Sequence, residues 1–113
     1  DEVHNIDTNG NLVWRYSENN SNINAITIDN NGNIYTGSTT EIHKIDADGN
    51  YIWGIIISDF IDGYGSGISN IAIDNENNVY INSYNNELHK FSSNGNHLWK
   101  YDGSIKGFAI GPG

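Results

Sequence analysis

Apolar and polar residues alternate along the chain in short runs that end at polar turns. The run from Ile23 to Asp29 alternates in this way and leads through the turn Asn30 to Asn33 into Ile34 to Gly37. Two further runs follow, Glu41 to Asp46 and Tyr51 to Ile56. A period of two residues, bounded by Asn, Asp and Gly, is typical of β-strands joined by tight turns. The pattern predicts four short antiparallel strands, which we name A to D in chain order, and almost no helix.

The same four-strand pattern recurs. EVHNIDTNGNLVW at 2–14 returns as EIHKIDADGNYIW at 41–53 and as ELHKFSSNGNHLW at 87–99, while AITIDNNGNIY at 25–35 returns as NIAIDNENNVY at 70–80. The first residues of the three longer copies are 39 and 46 positions apart. A period of about 40 to 50 residues that holds several strands is typical of β-propeller blades.

The repeats resemble those of the NHL-repeat and PQQ-like β-propeller superfamily, on the motifs IAIDNENNVY and EIHKIDADGNYIW. The resemblance implies an all-β fold of four-stranded antiparallel blades, about two and a half of them in this chain. We expect a single propeller segment over 1–113. It divides into a half blade at 2–16, blades at 22–57 and 69–102, and the first strand of a next blade at 105–111. Such propellers include binding proteins and enzymes, so the resemblance leaves the activity open.

The predicted strand total does not close a ring. Propellers have four to eight blades, and about 40 residues per blade require roughly 160 residues or more. Two arrangements are open: a segment of a longer propeller, or several copies that share a ring. A blade shared between copies would lack its strand B, which favours the segment.

Charge and composition exclude several classes of function. The 113 residues carry a net charge of −9, which does not suit a nucleic-acid partner. The chain has no Cys, so a disulfide scaffold and a thiolate metal site are excluded. The longest aliphatic run, Ile55 to Ile57, is too short for membrane insertion. This composition is compatible with an extracellular or surface-displayed location.

The turns carry Asp and Gly in a hairpin pattern. Asp accepts backbone N–H groups there and Gly supplies a positive φ. An EF-hand loop has Gly at its sixth position and Glu at its twelfth, and the turns here match neither, so hairpin chemistry is preferred to a calcium site. The predicted turn glycines are Gly10, Gly32, Gly49 and Gly95.

Aromatic and aliphatic residues at the repeat period predict the core. The positions are Trp14, Trp53, Trp99, Ile26, Ile28, Ile71, Ile73 and Phe108. His4, His43 and His89 occupy one position of strand C in three repeats, and zinc ligands must converge on one ion. We therefore expect these histidines to pack between blades, and we expect no metal and no cofactor.

One connection is enlarged and is the predicted binding site. From each Trp to the aligned strand A residue the chain spans 12, 18 and 9 positions. The longest connection, 54–68, contains Asp59, Phe60, Asp62 and Tyr64. Loops on one face of a propeller are suited to recognition, and aromatic rings beside carboxylates suit a protein or a carbohydrate partner.

Several alternatives are open. The connection could be an ordinary surface insertion, or Asp59 and Asp62 could serve as the acid and base of a lyase- or hydrolase-like enzyme. The open blade edges could instead join further blades of a longer chain or other copies of this one. A non-catalytic binding or structural module is the favoured function, and no catalytic residue is predicted for it.

Overall fold

The computed structural model describes residues 2–17, 22–39, 41–57, 67–84 and 87–102. Ten strands lie within them: β1 (Glu2–Ile6), β2 (Leu12–Ser17), β3 (Ile23–Ile28), β4 (Ile34–Ser38), β5 (Glu41–Ile45), β6 (Tyr51–Ile56), β7 (Ile68–Ile73), β8 (Val79–Ser83), β9 (Glu87–Phe91) and β10 (His97–Asp102). These ranges contain no α-helix. No helix of membrane-spanning length and apolarity is therefore found in the described part of the chain.

The strands form three antiparallel sheets in chain order. The first sheet pairs β1 with β2, the second has the order β3-β4-β5-β6, and the third has the order β7-β8-β9-β10. Each four-stranded sheet is a meander in which every strand pairs with its neighbour along the chain. The predicted all-β fold of four-stranded antiparallel units is confirmed. The strand predicted at 105–111 lies outside the described residues.

The hairpin turns follow from Asp side chains that bind the turn backbone. Oδ1 of Asp29 accepts hydrogen bonds from the N–H groups of Asn31 at 2.8 Å and Asn33 at 2.9 Å. The same pair of contacts occurs at three other positions, Asp7, Asp46 and Asp74. The four turn glycines, Gly10, Gly32, Gly49 and Gly95, have φ between 84° and 89°, and Asn77 takes the equivalent place with φ of 63°. Gly and Asn are the residues that adopt this region most readily.

The core lies between the second and third sheets. Strands β3 and β4 contact β7, and the buried cluster consists of Tyr35, Ile42, Ile57, Ile68, Ile71, Val79, Ile81 and Phe91. The approach is close at Gly37, where an added Cβ would lie 2.6 Å from Cγ2 of Ile68. The two sheets therefore meet where the smallest residue of one faces an isoleucine of the other.

Two predicted core residues are not in the core. Ile26 and Ile28 are 55% and 61% exposed, whereas the aligned Ile71 is 6% exposed and Ile73 is half-buried. The physical reason is the neighbouring sheet. Strands β3 and β4 cover the face that contains Ile71. Within the described residues the first sheet consists of β1 and β2, and no equivalent inner strand pair covers Ile26.

The three tryptophans also differ in burial. Trp14 and Trp53 are half-buried, whereas Trp99, also a predicted core position, is 41% exposed. Trp14 and Trp53 each have a following sheet to contact, and no described sheet follows the third one. Phe108 lies outside the described residues.

Candidate functional site

The predicted binding residues lie outside the described residues, but the ends of their connection do not. Asp59, Phe60, Asp62 and Tyr64 fall in the stretch 58–66. Ile57, just before it, is buried in the core cluster. The stretch 58–66 therefore directly follows a residue that is packed in the core, immediately after β6.

Gly67 fixes the other end of the connection. Its carbonyl oxygen accepts a hydrogen bond from the N–H of Tyr84 at 2.9 Å. A Cβ on Gly67 would lie 3.1 Å from Nδ2 of Asn24 and 3.2 Å from Cα of Thr39. Thr39 follows β4 and Tyr84 follows β8, so the connection re-enters the fold beside the turns that lead into β5 and β9. We name this end of the sheets, which contains Thr39, Gly67 and Tyr84, the loop face.

Tyr84 is a candidate residue that the sequence reasoning missed. Its side chain is 62% exposed and its backbone is held by Gly67. An exposed aromatic ring with a fixed backbone can bury a large apolar area in a complex at a low cost in conformational entropy. The available signal was an aromatic residue in the polar turn segment SYNNE at 83–87.

Each of the three repeated histidines is the third residue of its strand C and is paired with the Glu that begins that strand. Nε2 of His4, His43 and His89 lies 2.9, 3.0 and 3.0 Å from a carboxylate oxygen of Glu2, Glu41 and Glu87 respectively. The other ring nitrogen of His43 lies 2.8 Å from the hydroxyl of Tyr16 in the preceding sheet. In the described residues no group of three His, Asp or Glu side chains could hold a metal ion.

The third sheet replaces that tyrosine contact by a second histidine. Nδ1 of His89 lies 3.0 Å from Nε2 of His97, and His89 is fully buried. Burial lowers the pKa of His97, and the nearby His89 and Lys100 lower it further. The half-buried His97 is therefore paired with the buried His89.

The tryptophans join each sheet to the next. Nε1 of Trp14 donates to the carbonyl oxygen of Ala47 at 2.8 Å, and Nε1 of Trp53 donates to that of Ser93 at 3.1 Å. Each indole covers the turn glycine of the sheet that it contacts, Gly49 and Gly95 respectively. The sequence predicted packing at these positions, and the structure adds a hydrogen bond to the neighbouring turn.

Lys44 and Tyr35 complete the contact made by Trp53. Nζ of Lys44 lies 5.3 Å from the centre of the Tyr35 ring and donates to the carbonyl oxygen of Ser93 at 3.0 Å. The ring centres of Tyr35 and Trp53 are 6.1 Å apart. We name Tyr35, Lys44 and Trp53 the docking unit of the second sheet, since two of its side chains bind the same carbonyl of the third.

Tyr35 is fixed from its other end. Its hydroxyl donates to Oδ2 of Asp29 at 2.8 Å. Burial raises the pKa of Tyr35, and the bond to Asp29 raises it further. Burial alone would raise the pKa of Asp29, but the hydrogen bonds from Tyr35 and from the turn asparagines together lower it. The docking unit is thus tied to a hairpin turn by a charge-assisted hydrogen bond.

Comparison with known proteins identifies the architecture. No protein-family profile and no curated protein sequence matches the chain. Among solved structures, BamB from Moraxella catarrhalis superposes with a TM-score of 0.73 at 16% identity, over 96% of this chain and 32% of BamB. BamB is a β-propeller. This chain has the fold of a partial β-propeller.

Two further solved structures match. A protein of unknown function from Bacteroides caccae gives a TM-score of 0.72 at 18% identity, over 92% of this chain and 38% of that protein. The Nup170 N-terminal domain of Chaetomium thermophilum, in complex with Nup53, gives 0.57 at 15% identity, over 89% of this chain and 18% of that one. The chain thus spans less than two fifths of the length of each of these three proteins. At these identities the likeness concerns the fold, and each sheet of the present structure is a propeller blade or part of one.

Proposed function

We propose that this chain is a non-catalytic propeller module that binds a protein partner through the loop face. The observation that carries the proposal is the position of Tyr84. This exposed aromatic ring lies beside the fixed end of the connection 54–68, in which the sequence places Phe60 and Tyr64. Aromatic residues that can be buried in a complex supply most of the binding energy at protein interfaces.

Charge indicates the chemistry of the partner. Asp59 and Asp62 lie in the connection, and Glu41 and Glu87 begin the strands that follow the two turns of the loop face. The chain as a whole carries a net charge of −9. A segment rich in Lys and Arg would be attracted by this face and oriented on it. The Nup170 domain, a structural neighbour, is seen in complex with a protein, which agrees with this kind of function.

Within the propeller superfamily we place the chain with PQQ-like repeats rather than NHL repeats. The reason is the Trp that closes each C–D hairpin, together with the hydrogen bonds that Trp14 and Trp53 donate to the next blade. This placement concerns the repeat type alone. It assigns no PQQ cofactor to the chain.

The test is selection from a random peptide display library, followed by affinity measurement on single-residue variants. Peptides enriched in Lys and Arg should be recovered, and Tyr84→Ala should weaken their binding at least about tenfold, which corresponds to about 1.4 kcal/mol. Tyr51→Ala is the matched control, because Tyr51 is similarly exposed but pairs with Ile45 at the opposite end of its sheet from the loop face.

Equal affinity of wild type, Tyr84→Ala and Tyr51→Ala would remove the loop face as the binding site. Carbohydrate is the other ligand class that aromatic rings beside carboxylates fit. A glycan array that gives Tyr84-dependent hits, with no peptide recovered, would overturn the protein partner while keeping the loop face.

A further inference from the structure

The contact between successive blades is built twice within the chain in the same way. Trp14 donates to Ala47 and covers Gly49, and Trp53 donates to Ser93 and covers Gly95. In both cases the indole comes from strand D of one blade and the carbonyl from the C–D turn of the next. Each contact therefore has a donor side and an acceptor side.

The third blade carries a donor side that is already assembled. The ring centres of Tyr80 and Trp99 are 6.0 Å apart, against 6.1 Å for Tyr35 and Trp53. Nζ of Lys90 lies 5.2 Å from the Tyr80 ring centre, against 5.3 Å in the second blade. Trp99 is 41% exposed, and among the described residues none accepts a hydrogen bond from its Nε1. Because the three side chains already hold the docked geometry, little conformational entropy is lost on binding.

The first hairpin carries an acceptor side of the same shape. Asp7 binds the N–H groups of Asn9 and Asn11 as its counterparts do in the other turns, and Gly10 has φ of 84°. No heavy atom of the described residues lies within 4 Å of the position that a Cβ of Gly10 would take. At Gly49 and Gly95 that space is filled by an indole. The carbonyl of Thr8 stands at the repeat position of Ala47 and Ser93.

We propose that copies of this chain associate head to tail, with the docking unit of the third blade of one copy bound to the first hairpin of another. Trp99 packs on Gly10 of the second copy and donates Nε1–H to the carbonyl oxygen of its Thr8. Lys90 reaches the same carbonyl, as Lys44 does at Ser93 within the chain. The occupant is a second copy because the described residues present both halves of a contact that they already make twice between successive blades.

Such a contact is heterologous, since different surfaces of the two copies meet. It leaves one donor side and one acceptor side at the ends of any open array, so assembly continues as a filament unless the rotation between copies closes a ring. The two chains carry a net charge of −9 each, so added salt screens their repulsion and favours association. This proposal uses different residues from the loop face and stands or fails independently of it.

The test is the mass in solution of the full chain by multi-angle light scattering, over a range from about 1 μM to 1 mM, where contacts of modest affinity form. Wild type should grow in mass with concentration. Trp99→Ala removes the donor side, and Gly10→Asn fills the acceptor side while keeping the turn, because Asn77 shows that Asn adopts the required φ. Each variant alone should associate at least about tenfold more weakly than wild type.

Mixing the two variants is the decisive measurement. Trp99→Ala keeps an intact Gly10, and Gly10→Asn keeps an intact Trp99, so the mixture should form a 1:1 pair and nothing larger. Leu98→Ala is the control, because Leu98 is exposed to a similar degree on the same strand and has no part in the contact. A wild type that stays monomeric at every concentration would overturn the proposal. Association that persists in both variants, or a mixture that stays monomeric although both variants are folded by circular dichroism, would also overturn it.

Discussion

Replacing Trp53 by Ala tests how much the contact between the second and third blades stabilises the fold. The indole is half-buried, packs on Gly95, contacts the Tyr35 ring and donates to the carbonyl of Ser93 at 3.1 Å. We expect Trp53→Ala to lower the free energy of unfolding by about 3 kcal/mol.

That magnitude has three sources. A fully buried Trp replaced by Ala costs about 3 to 5 kcal/mol, and half burial reduces this to about 2 kcal/mol. The lost hydrogen bond adds about 1 kcal/mol. The lost aromatic pair with Tyr35 adds up to about 1 kcal/mol, part of which is already counted as burial. For a chain of this length the midpoint of thermal unfolding should fall by roughly 10 °C.

Trp99→Ala is the matched control for this measurement. Trp99 has the same place in its repeat as Trp53 and contacts the equivalent ring, Tyr80. Among the described residues no group accepts a hydrogen bond from its Nε1. At about 1 μM, where association is weakest, its replacement should cost under about 2 kcal/mol, since it loses neither the hydrogen bond nor a neighbouring blade. Urea unfolding followed by far-UV circular dichroism gives both values. Equal losses for the two variants, or a loss under about 1 kcal/mol for Trp53→Ala, would refute the assignment of the stabilising contact.

Three further predictions concern the turns and the pair of His89 and His97. Gly49→Ala and Gly10→Ala both place Ala at a positive φ. Gly49→Ala should lower the free energy of unfolding by about 1 to 3 kcal/mol more than Gly10→Ala, because its Cβ would lie 2.8 Å from an indole carbon of Trp14. Equal shifts of the thermal midpoint for the two variants would contradict this. Because the pKa of His97 is lowered in the folded chain, the unfolded chain binds a proton at this histidine more readily. The free energy of unfolding should therefore be highest above about pH 7 and decline as the pH falls through 6.5. His97→Gln should flatten that decline when the free energy is measured by urea unfolding at a series of pH values. Asp29→Asn should cost about 1 to 3 kcal/mol through the turn and the Tyr35 bond, while the exposed Asp48→Asn changes stability by under about 0.5 kcal/mol; similar melts for both would refute the role of Asp29.

The sheet topology could be predicted from the sequence because the repeat pattern and the turn chemistry point to the same strands. Alternation alone leaves the register open, but a turn Asp that binds two backbone N–H groups fixes where each hairpin reverses. Asn77 illustrates this, since it stands at the repeat position of Gly32 and has a φ of 63°.

Burial could not be predicted position by position, because it depends on the neighbouring blade. Ile26 and Ile71 have the same sequence context, yet only Ile71 is covered. Trp53 and Trp99 differ for the same reason. A repeat pattern reports which face of a strand is apolar, and only the order of the sheets reports whether that face has something to cover it.

The proposed site combines a connection that the sequence indicated with a residue that it did not. Connection length indicated 54–68, but the contribution of Tyr84 depends on a backbone hydrogen bond to Gly67, seventeen positions earlier. Likewise, His97 drew no attention in the sequence, because its role comes from the register that sets it beside His89.

Between the second and third blades, the small residue Gly37 lies near the propeller axis and the large residue Trp53 lies near the outer edge. This difference in size has a geometric consequence. The layer of side chains between two blades is thin near the propeller axis and thick near the outer edge, which makes each blade a wedge. The wedge sets the angle through which one blade is rotated from the next. The volumes of a few side chains between the blades therefore determine how many blades a closed ring contains. Gly37→Ala would thicken the inner spacer and reduce that angle, so a ring built from this repeat would need more blades to close.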